Sequence, residues 1–501
     1  MLKSRLACAV LGALLITGCA PTHHLNTANA RPIAQQLADA RRMMVGNDSA
    51  HGEAALRDIA ASKEFNSLPG EDQHRVLASL AQAANRQGQL QLAYQYLARV
   101  TAMPEASFGD GVALVNTASK LRHRADTATA LTALVRRWPD KISELDDHFT
   151  VQFLAEAHRV PRGTMFPLLQ ALYDAHWKLK WGIEPSTAWC DFALLLLEQG
   201  RLPEAVEVSS HVTNTYVLVA MRADRRFDAV VAANPSLFDI AAAADRELRG
   251  LQALSENTPH SLELQSHTIE ALGNQLHYGA MLAASDSVIS EVTSTNFPDK
   301  LYEDYDEQYQ WILSDRAAAL ERVARWDEAV EVSITASHLI GADASQPLDL
   351  GALYCDLGRP NDAISALRLI VDEPNAYGAM QIELVRLDAA MQLKDSNQVA
   401  RSLQFIVAHR TDSLSAYESA LVLVNQPDKA AALLVTRLLD PADRLDALES
   451  IQTYVDPPAM PHRGELNARW RAVIDRRDVR LAANKVGRIE SYRLEPPDIF
   501  D

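Results

Sequence analysis

The sequence predicts an all-α fold built as a stack of helical hairpins, and three observations carry that prediction. The phrase Glu204-Ala205-Val206-Glu207-Val208-Ser209 returns as Glu328-Ala329-Val330-Glu331-Val332-Ser333, each copy following an apolar stretch of helical spacing and opening a second helix. A phrase reused at one place in a hairpin marks a repeat, and repeats bury their apolar faces by stacking. Of the 501 residues, 48% are hydrophobic but only 6% aromatic, with long runs of Ala and Leu, which suits close helix packing better than a sheet. Apolar residues then recur with helical period from about Pro32 almost to the C-terminus.

The chain opens differently. Lys3 and Arg5 precede an apolar run from Leu6 to Ile16, too short to span a bilayer but long enough for the core of a secretory signal. The run ends in Ile16-Thr17-Gly18-Cys19, which resembles the bacterial lipobox. That resemblance implies that residues 1–18 are a lipoprotein signal peptide and that Cys19 is lipidated and begins the mature protein. Ala20 after the cysteine implies an outer-membrane anchor facing the periplasm, held by acyl chains that each contribute about 0.8 kcal/mol per buried methylene. Residues 19–31 read as a flexible tether. His23 and His24 lie in it without a carboxylate or thiolate near enough in sequence to complete a metal site. Cys8 leaves with the signal, so Cys190 and Cys355 remain, and they are expected to be buried and unpaired.

Residues 32–180 are read as N-terminal hairpins, 181–300 as central hairpins of degenerate register, and 301–460 as a C-terminal array. In the first clear hairpin Leu77, Leu80, Ala81 and Ala84 share a helix face, Gly88 turns the chain, and Ala93, Leu97 and Val100 return. The second has Trp189, Phe192, Ala193 and Leu196, then Gly200, Ala205 and Val212. The third has Leu313, Ala317 and Leu320, then Ala324 in place of the turn glycine, then Ala329 and Ala336. The fourth runs Leu350, Gly351, Tyr354, Gly358, Ala363, Leu367 and Ile370. The small anchors Ala329 and Ala363 lie 34 residues apart, with Val399 and Ala430 following after 36 and 31.

These segments resemble tetratricopeptide repeats, about half the mature chain matching well. The resemblance implies a right-handed superhelical solenoid in which the first helix of each hairpin lines a concave groove. Carried onto this sequence, the groove positions are Arg75, Gln82, Asn85 and Arg86; Thr187, Leu194 and Glu198; Trp311, Glu321 and Arg322; and Asp356. Trp311 and the arginines are the expected anchors, because such side chains dominate interface energetics.

Between the clear hairpins the register fades over 110–180 and 214–300. Tyr216 to Met221 is rich in β-branched residues, yet the polar turn at Arg222 to Phe227 favours a short helical hairpin. Gly109-Asp110-Gly111 reads as a loop. Glu144 and His148 read as a solvated pair on one helix face. The run from Tyr302 to Tyr309, with Glu303, Asp304, Asp306 and Glu307, falls near a helix start where the dipole favours acid. Residues 461–501 read as a basic capping helix followed by an extended Pro-rich tail, the helix arginines also suiting contact with anionic lipid or glycan.

A formal charge of −17, with 65 acidic against 48 basic residues, excludes a nucleic-acid binder, which needs a basic stripe. Loss of Lys3 and Arg5 leaves 46 basic residues and a mature charge of −19. There is no Gly-Lys pair for a phosphate loop, no Gly-x-Ser-x-Gly and no His-Glu-x-x-His. The expected function is a periplasm-facing scaffold, not an enzyme and without cofactors, that binds protein partners in envelope assembly. The alternative is a peptidoglycan-acting enzyme or a regulator of cell-wall synthesis, since similar helical scaffolds precede the catalytic domain of soluble lytic transglycosylases. Only about fifty residues follow Ser450, too few for such a domain.

Overall fold

The computed structural model of the chain describes residues 32–45, 49–155, 160–339, 343–371, 374–456, 458 and 460–497. The signal sequence, Cys19, the tether with His23 and His24, and Phe500 lie outside the described residues. Among the described residues the regular elements are helices, and strand-like pairing is confined to two isolated bridges, Asp224 with Gly487 and Thr453 with Ser491. The chain divides into two compact units, Met1–His123 and Arg124–Asp501.

In the first unit, helices Ile33–Val45 and Ser49–Ala61 pair, then Gly70–Arg86 pairs with Leu90–Thr101, and Phe108–Lys120 packs on the last of these. Leu77, Leu80, Ala81, Ala84, Ala93, Leu97 and Val100 are all buried, as their spacing predicts. Gly109-Asp110-Gly111 is not a loop but the first turn of the Phe108–Lys120 helix. The Asp110 amide donates to Ser107 Oγ at 3.2 Å and the Ser107 amide to Asp110 Oδ2 at 2.8 Å, a capping box that the Ser-x-x-Asp spacing signals.

The second unit stacks hairpins Ser186–Glu198 with Leu202–Ser209, Leu262–Asn274 with Tyr278–Thr293, and Tyr305–Arg322 with Trp326–Ser337. Three more follow: Ser345–Asp356 with Pro360–Ala366, Ala376–Leu393 with Ser396–Ala408, and Leu414–Leu423 with Pro427–Leu439. Residues 215–223 form a helix and 228–233 a second, the hairpin reading of that stretch rather than a strand.

One turn geometry closes hairpins in both units. A single residue takes positive φ, at Gly88, Gly200, Leu276, Ala324, Gly358, Lys394 and Asn425. The next amide then reaches back five residues to a helix carbonyl, as from Gln89 to Ala84 and from Asp395 to Ala390, both at 2.9 Å. This satisfies carbonyls that the helix end would otherwise leave bare. Five residues past the turn sits the anchor where two helix backbones approach. Ala93, Ala205, Ala329, Ala363 and Ala430 are all 0% exposed, because a larger side chain would push the helices apart.

Three local readings change. Glu144 ends the short turn Pro139–Glu144 while His148 lies in the separate helix Asp147–Ala155, so they do not share a helix face. Asp304 is buried rather than displayed at its own helix start. Its carboxylate accepts from the amides of Leu262 (2.9 Å) and Glu263 (3.1 Å) and from Ser261 Oγ (3.0 Å), capping the neighbouring helix Leu262–Asn274. The described part of residues 461–501 contains two helices, Arg463–Ile474 and Arg477–Val486, and several of the arginines expected to meet anionic partners are paired within the chain. Arg463 meets Asp356, Arg476 meets Asp428 and Asp478, and Arg480 meets Asp475.

The described part of the tail, residues 487–497, is extended and returns to the middle of the second unit. The Arg488 amide donates to the Ala223 carbonyl at 3.0 Å, and the helix Thr215–Ala223 packs against Arg444–Ser450. Beyond that point Thr453 N donates to Glu490 O (2.9 Å), Tyr492 N to Thr453 O (2.8 Å), Val455 N to Leu494 O (3.0 Å) and Glu495 N to Asn274 O (3.0 Å). Tyr216 Oη donates to the Glu495 carbonyl at 2.7 Å, and Arg222 and Arg322 hold the carboxylates of Glu490 and Glu495.

At the turns, Lys394→Gly, an exposed left-handed position, is expected to stabilise the protein by about 1 kcal/mol. Gly358→Ala, whose new methyl would meet nothing but whose φ is +72°, is expected to destabilise it by about the same amount; denaturant midpoints check both. At the closure, a Cβ on Gly487 would stand 2.4 Å from the Ala223 carbonyl oxygen. Gly487→Ala is expected to cost at least about 1–3 kcal/mol and to increase amide exchange over residues 487–497.

Candidate functional site: a cavity inside the second unit

Three first helices of consecutive hairpins turn one face each toward the returning C-terminal segment. Tyr305–Arg322 presents Trp311, Ser314, Asp315, Ala318, Glu321 and Arg322, residues three, four and seven apart and so on one face. Leu262–Asn274 adds Glu270 and Asn274, and Ser345–Asp356 adds Asp349, Ala352, Leu353 and Asp356. Opposite them lie residues 450–454, the helix Arg463–Ile474 with Asn467, Trp470 and Arg471, and the tail residues Glu495, Pro496 and Pro497. Together they enclose a cavity of about 680 Å³. A recess of about 170 Å³ shares its Ser450, Trp470 and Pro497 walls and is lined also by Gln381, Glu418, Arg437, Asp446 and Glu449.

The cavity is acidic. Eight carboxyl side chains line it (Glu270, Asp315, Glu321, Asp349, Asp356, Asp456, Asp475 and Glu495) against four arginines, and each arginine already meets a lining carboxylate. Arg322 holds Glu495 and Glu321, Arg463 meets Asp356 at 3.4 Å, Arg480 meets Asp475 at 2.6 Å, and Arg471 pairs with Asp456. Asp315 is 6% exposed; Ser266 Oγ donates to its Oδ2 at 2.7 Å. Burial and the neighbouring Glu270 charge push its carboxyl well above the usual carboxylate range, against the pull of Ser266. In the recess, Glu418 and Arg437 form a buried ion pair that Asp446 joins, and Gln381 Oε1, Glu418 Oε1 and Arg437 Nε have no protein partner.

Trp311, Glu321, Arg322 and Asp356, chosen from the sequence, all line this cavity. The remaining choices do not. In the first unit Arg75, Gln82 and Arg86 are exposed on one helix, Arg75 pairs with Glu71 at 3.0 Å, and Asn85 Nδ2 donates to Thr117 Oγ1 at 3.4 Å. In the second, Thr187 and Glu198 are exposed, with Glu198 paired to Arg162. Leu194 belongs to the core at 8% exposure and is corrected from a groove contact to a packing residue, because it lies on the same apolar face as Cys190 and Ala193.

Sequence reasoning missed Asp315, Glu270 and Trp470. A carboxylate between Leu313 and Ala317 on an apolar helix is the available signal for Asp315; nothing local signals that Trp470 lines the same cavity. The chemistry offered is acceptors, acid charge and aromatic faces. Cys190 and Cys355 are buried and unpaired, with burial pushing both thiols upward, so neither supplies a thiolate here. Among the described residues no group of three His, Cys, Asp or Glu is placed to hold a metal ion.

No family model and no curated protein matches the chain. Among solved structures it is similar to the Cut9–Hcn1 hetero-tetramer of the APC/C at 11% identity and a TM-score of 0.28, over 91% of this chain and 90% of that one. It is also similar to Naa15/Naa10 bound to HypK-THB, at 11% identity and a TM-score of 0.20 over 90% of each chain. A monomeric mutant of IFIT1 with Gppp-AAAA aligns at 14% identity and a TM-score of 0.27, over 88% of this chain and 90% of that one.

Beside the recess, desolvation and the Asp446 charge push the Glu449 carboxyl up to about 8 from its ordinary 4.5. Between those values the folded chain holds a proton that the unfolded chain has lost, so its contribution is complete below the unfolded value and disappears as pH rises through the folded one. Stability is therefore expected to fall from about pH 5 to about pH 9, and Glu449→Gln to make that fall shallower, as denaturant titrations across pH would measure.

Proposed function

We propose that the protein is a membrane-anchored scaffold whose second unit holds an extended segment of a partner protein inside the cavity. One observation carries this reading: the same inner face already holds an extended chain, the protein's own residues 487–497, by backbone pairing with Thr453, Val455 and Asn274 and by ion pairs from Arg222 and Arg322. A face equipped to satisfy extended backbone and to bury aromatic surface is suited to peptide recognition. Trp311 and Trp470, lining one cavity, are the aromatic anchors that such an interface concentrates its energy on. The lipobox at Ile16 to Cys19 supports attachment to the outer membrane on the periplasmic side, and that compartment supports a role in envelope assembly.

A photo-crosslinking amino acid at Trp311 in intact cells is expected to give a discrete protein adduct that the same probe at the exposed Glu331 does not give. No adduct above that control would overturn the cavity as a partner site. In the same cells, Cys19→Ser is expected to move the protein out of the membrane fraction, and unchanged sedimentation would overturn the anchor.

A further inference from the structure

We propose that the segment accepted by the cavity is basic: a lysine or arginine side chain of the partner enters alongside Trp311 and is held between Asp315 and Glu270. This rests on the cavity being the partner site and adds the chemistry of what fills it.

The geometry supplies three faces of one subsite. Trp311 and Asp315 are one helical turn apart on Tyr305–Arg322, so both project toward the same space. Ser266 and Glu270 are one turn apart on the adjacent helix Leu262–Asn274, and the 2.7 Å bond from Ser266 Oγ to Asp315 Oδ2 brings those two faces together. Asp315 thus stands nine-tenths buried at the cavity wall, with Ser266 occupying one oxygen and the other oxygen without a hydrogen-bonding partner. Glu270, on the rim, meets only His267, at 3.4 Å.

Charge decides the sign of the occupant. No lysine lines the cavity, and its four arginines are engaged by Glu321, Asp356, Asp456, Asp475 and Glu495, leaving none for Asp315. An acidic segment would meet the net negative charge of the lining, whereas an ammonium or guanidinium would let the Asp315 carboxyl ionise beside Glu270 and find an indole beside it. A protein segment is favoured over a free amine because the cavity, at about 680 Å³ with both Trp311 and Trp470 in its lining, offers more aromatic surface than one amine would cover.

The test uses the full-length protein and three end-blocked, fluorescein-labelled nonapeptides identical except at three positions, which carry lysine, norleucine or glutamate, with spermidine as a free-amine competitor. Anisotropy is read at about 0.15 M salt, where contacts between well-separated surface charges are screened. The lysine peptide is expected to bind at least about tenfold more tightly than the other two. Asp315→Asn, which keeps an acceptor for Ser266, and Glu270→Gln are each expected to weaken it by about tenfold. Glu331→Gln, an exposed charge elsewhere, should leave it unchanged. Equal affinity of the norleucine peptide, or an Asp315→Asn protein that binds lysine as before, would overturn the basic subsite while leaving the cavity as a peptide site. Spermidine binding more tightly than any peptide would assign the subsite to a free polyamine instead. Binding of none of the three peptides would overturn the cavity reading itself.

Discussion

The hydrogen bond from the Arg488 amide to the Ala223 carbonyl, with Gly487 pressed against that same carbonyl, ties the C-terminal segment to the middle of the second unit and so directs residues 495–497 into the cavity wall. Opposite the inner faces of Leu262–Asn274, Tyr305–Arg322 and Ser345–Asp356, the C-terminal segment completes a wall that residues 450–454 and the helix Arg463–Ile474 begin. The ion pairs that hold the segment are sheltered: the Arg322 and Glu495 side chains are 20% and 11% exposed. Pairs in that environment are screened less by salt and leave an uncompensated charge if one partner is lost, so they fix position more firmly than surface pairs do.

Burial explains the electrostatics. Of the acidic residues that line the cavity, Glu270, Asp456 and Asp475 keep much of their solvent, whereas Asp315 is packed against the neighbouring helix and loses it. Asp315 and Glu449 resist ionisation because burial disfavours their charged forms, and the buried Arg437 guanidinium serves two carboxylates at once, the buried Glu418 and the exposed Asp446. The inner wall therefore carries charge strain that the helical architecture alone does not relieve.

The hairpins were legible where glycine or alanine marked the turn and alanine the anchor, as at Gly88 with Ala93 or Gly358 with Ala363. They faded where the same left-handed geometry is occupied by other residues. Leu276 takes φ +63° and the anchor after it is Met281, so the turn is present without its usual letters. Side chains are tolerated there because the surrounding helix end over-determines the conformation, at a cost of about 1–2 kcal/mol each. The site was half legible. The repeat resemblance chose Trp311, Glu321, Arg322 and Asp356, which lie on one side of the cavity, but the other wall comes from distant residues from Ser450 onward, and no local pattern announces that a proline-rich tail will return to the centre. Leu194 failed for a different reason: groove and core positions differ by one step around a helix, and an apolar residue at that step goes inward.

A linear repeat array frays from its ends, since each terminal repeat contacts one neighbour. The second unit has tied its C-terminal end to its middle, so releasing residues 487–497 breaks contacts with Thr215–Ala223, Asn274 and Arg322 together. The same residues that hold the tail are walls of the cavity: Glu495, Pro496 and Pro497 line it, and Arg322 touches both. Any occupant and the tail must therefore share one set of side chains, and their binding free energies are coupled by construction. A ligand that drew Glu321 or Arg322 away would loosen the tail, and one that left those residues in place would gain a wall already ordered, with little conformational entropy left to lose. Recognition at Asp315 and Glu270, a full turn or more from Arg322 along these helices, belongs to the second case, which is why closure and binding can reinforce each other in this fold.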